Sequence, residues 1–123
     1  MKTKSAKAKG NRFENYLVSV LKENLDAKTH RNYASGSGLD KNDIRIPSFD
    51  IEIEAKNAKR VNLIKDWEQA KRQETASKVI LAVRNPKKPE FDEVLIVIDL
   101  FDFIEILKKQ KGKDEVETLA SKN

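Results

Sequence analysis

The chain of 123 residues has no cysteine, a single histidine, one tryptophan and no apolar run approaching 18 residues. Without cysteine there is no disulfide scaffold, no thiolate zinc site and no cysteine nucleophile. His30 stands alone, so a Ser-His-Asp site or a zinc hydrolase lacks its usual set, and His30 reads as structural or surface. Neither a Walker A loop nor a GxGxxG fingerprint occurs, so no nucleotide cofactor is expected. The basic N-terminal residues have no apolar segment behind them. A secretory signal and a membrane span are therefore not expected, and the reading is a cytoplasmic protein with no membrane partner.

What is abundant is charge. Charged residues make up 37% of the chain and apolar residues 38%, which predicts one domain with a small core. The net charge is +5, and the sequence pI is near 9.4. Lys2, Lys4, Lys7, Lys9 and Arg12 carry that whole excess, while residues 13–123 balance at 20 basic and 20 acidic side chains. Such an arm is either a nucleic-acid contact, where each phosphate met releases counterions, or a solvated terminus. The reading is a basic flexible arm over residues 1–9, one domain over 10–108 and a polar, frayed tail over 109–123.

Apolar periodicity predicts a helix over residues 10–26, with Phe13, Tyr16, Leu17, Val20, Leu21 and Leu25 on one stripe and Glu14 at its edge. Residues 29–33 read as strand-like and lead into a Gly/Ser loop. Asp43–Ile46 and Phe49–Lys56 read as the two strands of a hairpin around Pro47-Ser48. A second helix over 62–76 would turn Leu63, Ile64, Trp67 and Ala70 inward. The β-branched runs 79–83 and 94–98 predict strands covered on both faces. Asp99 would cap a last helix that buries Leu100, Phe103, Ile104 and Leu107. The order α-β-β-β-α-β-β-α is an α/β domain, a mixed central sheet flanked by helices.

The chemistry sits on the segment F-D-I-E-I-E-A-K. Strand alternation puts Ile51, Ile53 and Ala55 on one face and Asp50, Glu52, Glu54 and Lys56 on the other. Hairpin pairing can bring the Asp43 carboxylate beside Glu54. These two carboxylates and the Ala55 carbonyl make an all-oxygen site suited to Mg²⁺ or Mn²⁺. Lys56 on the same face could orient a water or stabilise charge on a phosphoryl oxygen. Glu52 has no role in this set and is expected to face solvent or a salt bridge.

These residues resemble the PD-(D/E)XK nuclease superfamily, and within it the archaeal and phage Holliday-junction resolvases. Lys9-Gly10, Glu14, Arg31, the run Ala34-Ser35-Gly36-Ser37-Gly38, Asp43 and Glu54-Ala55-Lys56 carry the likeness over residues 9–99, and Trp67 and Gln69-Ala70 add to it. The resemblance implies a restriction-endonuclease-like αβββαβ core. It implies Asp43 and Glu54 as metal ligands, Glu14 assisting them and Lys56 positioning the attacking water. Ser37 or Ser35 would touch the scissile region and Arg31 would hold phosphate. Asp40 and Asp50 are rivals for the aspartate role. Asp43 is favoured because it opens the apolar alternation Ile44, Ile46.

The expected activity is Mg²⁺-dependent endonucleolytic cleavage of branched DNA, with a four-way junction as partner and a homodimer as the working form. Lys2, Lys4, Lys7, Lys9, Arg12, Arg31, Ser35 and Gln69 are the expected DNA contacts. The rivals are a nicking or restriction-like nuclease of the same fold and a non-catalytic basic DNA-binding protein.

Overall fold

The computed structural model describes residues 3–32 and 41–121. Helix α1 (Thr3–Asn24) is followed by strands β1 (His30–Arg31), β2 (Ile44–Ile46) and β3 (Ile51–Lys56). Helix α2 (Leu63–Arg72), strands β4 (Lys78–Arg84) and β5 (Val94–Val97), and helix α3 (Leu100–Ser121) complete the chain. The expected element order is present. The five strands lie in one mixed sheet in sequence order, with β3 and β4 parallel and the other neighbours antiparallel. The α2 crossover is what permits that parallel pair.

The core lies between α1 and one sheet face. Phe13 and Leu17 pack on Ile44, Ile46, Ile51, Ile53 and Ala82, with Val18, Leu21 and Ile80 completing the layer. Each fully buried side chain of this size contributes about 1.5–3 kcal/mol. α1 begins at Thr3, not at residue 10. The Lys- and Ala-rich segment is itself a good helix former and extends the helix beyond the apolar stripe. At the other end Leu25 is exposed. There the chain turns on Asp26, which accepts from the amides of Lys28 at 2.9 Å and Ser48 at 3.0 Å. These two amides hold the Asp26 carboxyl below its ordinary range.

The opposite face of β3 is also covered, by α2 and the segment after it. Glu52 is fully buried, which corrects the expectation of a solvated face residue. It accepts from Asn42 Nδ2 at 2.7 Å, the Thr75 amide at 2.7 Å and Thr75 Oγ1 at 2.8 Å. This capture of Thr75 also explains why α2 ends at Arg72 and not at residue 76. α2 is capped by Asn62, whose side chain accepts from the Lys65 amide. It buries Ala70 but leaves Leu63 and Ile64 exposed, against their expected inward placement.

β4 is covered on both faces as its composition predicts. β5 is not. It is the sheet edge, with Leu95 and Ile96 exposed. Asp99 caps α3 by accepting from the Phe101 and Asp102 amides. Yet Leu100, Phe101, Phe103 and Leu107 are exposed, whereas Ile106 is packed against the core. α3 continues to Ser121 through the segment expected to fray.

Candidate active site

The β2–β3 register places Ile44 opposite Ile53 and Arg45 opposite Glu52, so Asp43 comes opposite Glu54 just where β2 stops. The Asp43 carboxylate accepts the Ala55 amide hydrogen at 2.8 Å, standing in for the next rung of the ladder. A strand residue directs its N–H and C=O to the same side. The Ala55 carbonyl therefore leaves β3 along the edge that Asp43 borders. Glu54, buried at 5% exposure, lies between Asp43 and Lys56. Its Oε1 is buried without a hydrogen-bond partner among the described residues.

Glu14 reaches the same rim from α1. It pairs with Arg31 Nη2 at 3.1 Å, and Arg31 is also held by Asn11 Oδ1 at 2.9 Å and Asn15 Oδ1 at 3.3 Å. β1 thus fixes Arg31 against the helix that carries Glu14. Lys56 Nζ donates to Gln69 Oε1 at 3.2 Å and lies 3.8 Å from Glu54 and 3.9 Å from Asp66. Gln69 in turn donates to Gln73, which donates to Asn42. Asn42 also donates to Glu52 and to the Ala70 carbonyl. This polar chain joins the residue before Asp43 to the residue that orients Lys56.

The electrostatics of the rim favour a cation. Burial, then the neighbouring Asp43 charge, raises the Glu54 carboxyl from 4.5 to about 8, with Lys56 only partly opposing the rise. Glu14 is raised to about 7, first by burial and then by Asp43, with Arg31 offsetting part of it. Like-charged carboxyls that cannot all ionise together share protons, and a divalent cation replaces those protons. Among the described residues no three His, Asp or Glu side chains form a ready-made metal cage. Magnesium needs no such cage, since one or two carboxylates suffice when waters and substrate phosphates complete the shell. The orphaned Glu54 Oε1, Asp43 and the Ala55 carbonyl fit that requirement.

Of the expected site residues, the fold brings together Glu14, Asp43, Glu54, Ala55 and Lys56, with Arg31 beside Glu14 and Gln69 on Lys56. Gln69 has both ends of its amide engaged inside the protein. Asp50 is remote from this set, paired with Arg45 at 2.8 Å. His30 is exposed. Ser35, Ser37, Asp40 and Lys2 lie outside the described residues, as do the side chains of Lys4 and Lys7. Asn42 and Asp66 were missed by sequence reading. Both are polar residues within four positions of a singled-out residue, and only the packing of α2 on β3 reveals their part. No family model, curated protein or solved structure matches the chain.

Proposed function

We propose that the protein is a Mg²⁺- or Mn²⁺-dependent endodeoxyribonuclease that hydrolyses a phosphodiester in branched DNA, with the four-way junction as its main substrate. The observation that carries this reading is the meeting of Asp43, Glu54 and Lys56 at the rim where β2 ends. A surface that only binds DNA gains nothing from raised, buried carboxyls facing a phosphate. The αβββαβ order and the resemblance of these residues to the junction resolvases support the same reading. Lys9, Arg12 and Arg31 supply positive charge on the α1 side.

In this account Asp43 and Glu54 would hold the cation with the Ala55 carbonyl, and Glu14 would add charge from α1. A bound divalent ion acidifies a water and polarises the phosphoryl oxygen. Lys56, steadied by Gln69 and Asp66, orients the attacking water and stabilises charge developing on the phosphate.

Resolution requires two symmetric cuts, so the working form is a two-fold dimer. The surface for it is the exposed Leu95 and Ile96 edge of β5 together with Phe101, Phe103 and Leu107 of α3. Phe91 is not available for it, because its ring packs on Tyr16 and Phe13 at 4.7 and 5.5 Å between centroids.

The test is incubation with labelled four-way junction, flap and linear duplex, with and without Mg²⁺. Junction cleavage that needs the metal supports the proposal. Cleavage of linear duplex alone favours a restriction-like duty, and binding without any cleavage favours a non-catalytic DNA-binding protein.

A further inference from the structure

A cavity of about 250 Å³ lies on the α1 side of the C-terminal end of β3, one residue beyond Lys56. Four cations line it: Lys9 and Arg12 from α1, Lys59 from the segment after β3, and Arg84 from the end of β4. Glu90 is the one acid on its wall. None of the four cations has an ion-pair partner among the described residues. Four cations with no carboxylate partner around one hollow are a concentrated charge.

The hollow is built, not incidental. Asn57 ties its two sides together, donating to the Lys9 carbonyl at 3.3 Å and accepting from Arg84 Nη1 at 3.1 Å. Arg84 also donates to the carbonyls of Lys88 and Glu90. It thereby holds the β4–β5 loop in place, including Glu90 at φ 43°, a conformation that non-glycine residues rarely adopt. Another cavity, of about 300 Å³, is different. Lys78, Lys109 and Lys113 are among its lining residues, but Lys78 and Lys109 already share an ion pair with Glu105.

We propose that the Lys9–Arg12–Lys59–Arg84 hollow is a binding subsite for a backbone phosphate of a nucleic acid, next to the one at Lys56. Its volume is below the 300–1,000 Å³ of sites that enclose a drug-sized ligand. No glycine lines it to wrap a phosphate in backbone amides. Long cationic side chains around a small opening suit a phosphate group presented by a polymer. The position relative to Lys56 rests on the nuclease reading, whereas the anion subsite does not.

The experiment measures binding in EDTA, so it is independent of cleavage. Labelled junction and linear duplex are titrated over a range of salt with wild type, the Arg12→Gln/Lys59→Gln double variant, and a control. Arg84 is left intact because it holds the loop. Lys22→Gln/Lys28→Gln is the control, removing the same charge at the far end of α1. The hollow variant should lose at least tenfold in affinity, and its log K against log salt slope should become shallower by about 0.9, the value for one phosphate contact. The control should change little. Equal weakening by both pairs, or wild-type binding by the hollow variant, overturns the subsite. Saturation of the hollow by millimolar inorganic phosphate, with DNA affinity and slope untouched, assigns it to a free anion and overturns the backbone reading. If wild type binds but never cuts, the nuclease reading fails while the subsite still stands on its slope.

Discussion

Asp43 Oδ2 accepts the backbone hydrogen of Ala55 across the end of β2 at 2.8 Å. That one bond holds a carboxylate against the strand that carries Glu54 and Lys56. It also aligns the Ala55 carbonyl with the same rim. Asp43 is in turn positioned by Asn42, which Glu52 and the Ala70 carbonyl hold in the interior.

Glu52→Ala should be among the most destabilising single changes in the molecule. It removes the acceptor for three hydrogen bonds and leaves a cavity, at about 1–3 kcal/mol for each donor left unsatisfied. A loss on the order of 3–5 kcal/mol is expected in urea unfolding. Glu52→Gln keeps the volume and one acceptor, so its cost should be near 1–2 kcal/mol.

The metal-free protein should lose stability as pH rises from about 5 to 8. The native carboxyls of Glu54 and Glu14 are raised to about 8 and about 7 from 4.5. Through that window the folded state therefore binds more protons than the unfolded chain, and stability falls with pH. Tm should fall with it. Millimolar Mg²⁺ should restore it at pH 8, and Glu54→Gln should flatten the pH dependence. A metal-free Tm that is constant or rises over this range contradicts the site's electrostatics.

Phe101→Glu combined with Ile96→Glu should leave a folded monomer. Both side chains are exposed, at 75% and 55%, so neither charge enters the core. Sedimentation should give about 28 kDa for wild type, twice the chain mass of 14.1 kDa, and one chain for the variant. Wild type sedimenting as a monomer both free and on junction DNA would favour a nicking duty.

Deleting residues 1–8 removes Lys2, Lys4 and Lys7 and should weaken all DNA binding without moving the cleavage position. The backbone from Thr3 onward is part of α1, so the deletion shortens a helix. If each lysine meets one phosphate, the salt slope should become shallower by about 2.7. An unchanged slope makes the segment a solubility device.

Periodicity made the element order and the pairing of Asp43 with Glu54 legible, because both follow from local alternation and a short turn. It could not show that the charged face of β3 is covered. Glu52 in a strand reads as solvated unless Asn42 and Thr75, ten and 23 residues away, are known to meet it. The apolar run in β5 and the stripe of α3 failed in the opposite direction. A pattern records that Ile96 and Phe101 are apolar, but not whether this chain or another covers them. The hollow at Lys59 and Arg84 was equally invisible, since its four cations come from three separate stretches of sequence.

The most direct measurement of the account is Mg²⁺-dependent cleavage of a four-way junction by Glu54→Gln against wild type. Gln fills the same buried volume and removes the charge that would hold the cation, so the fold should survive. Binding in EDTA should be equal or tighter. The cleavage rate should fall by at least 10²–10³, the scale of losing a main electrostatic stabiliser. A Glu54→Gln variant that cuts as fast as wild type contradicts the assignment of this rim as the active site.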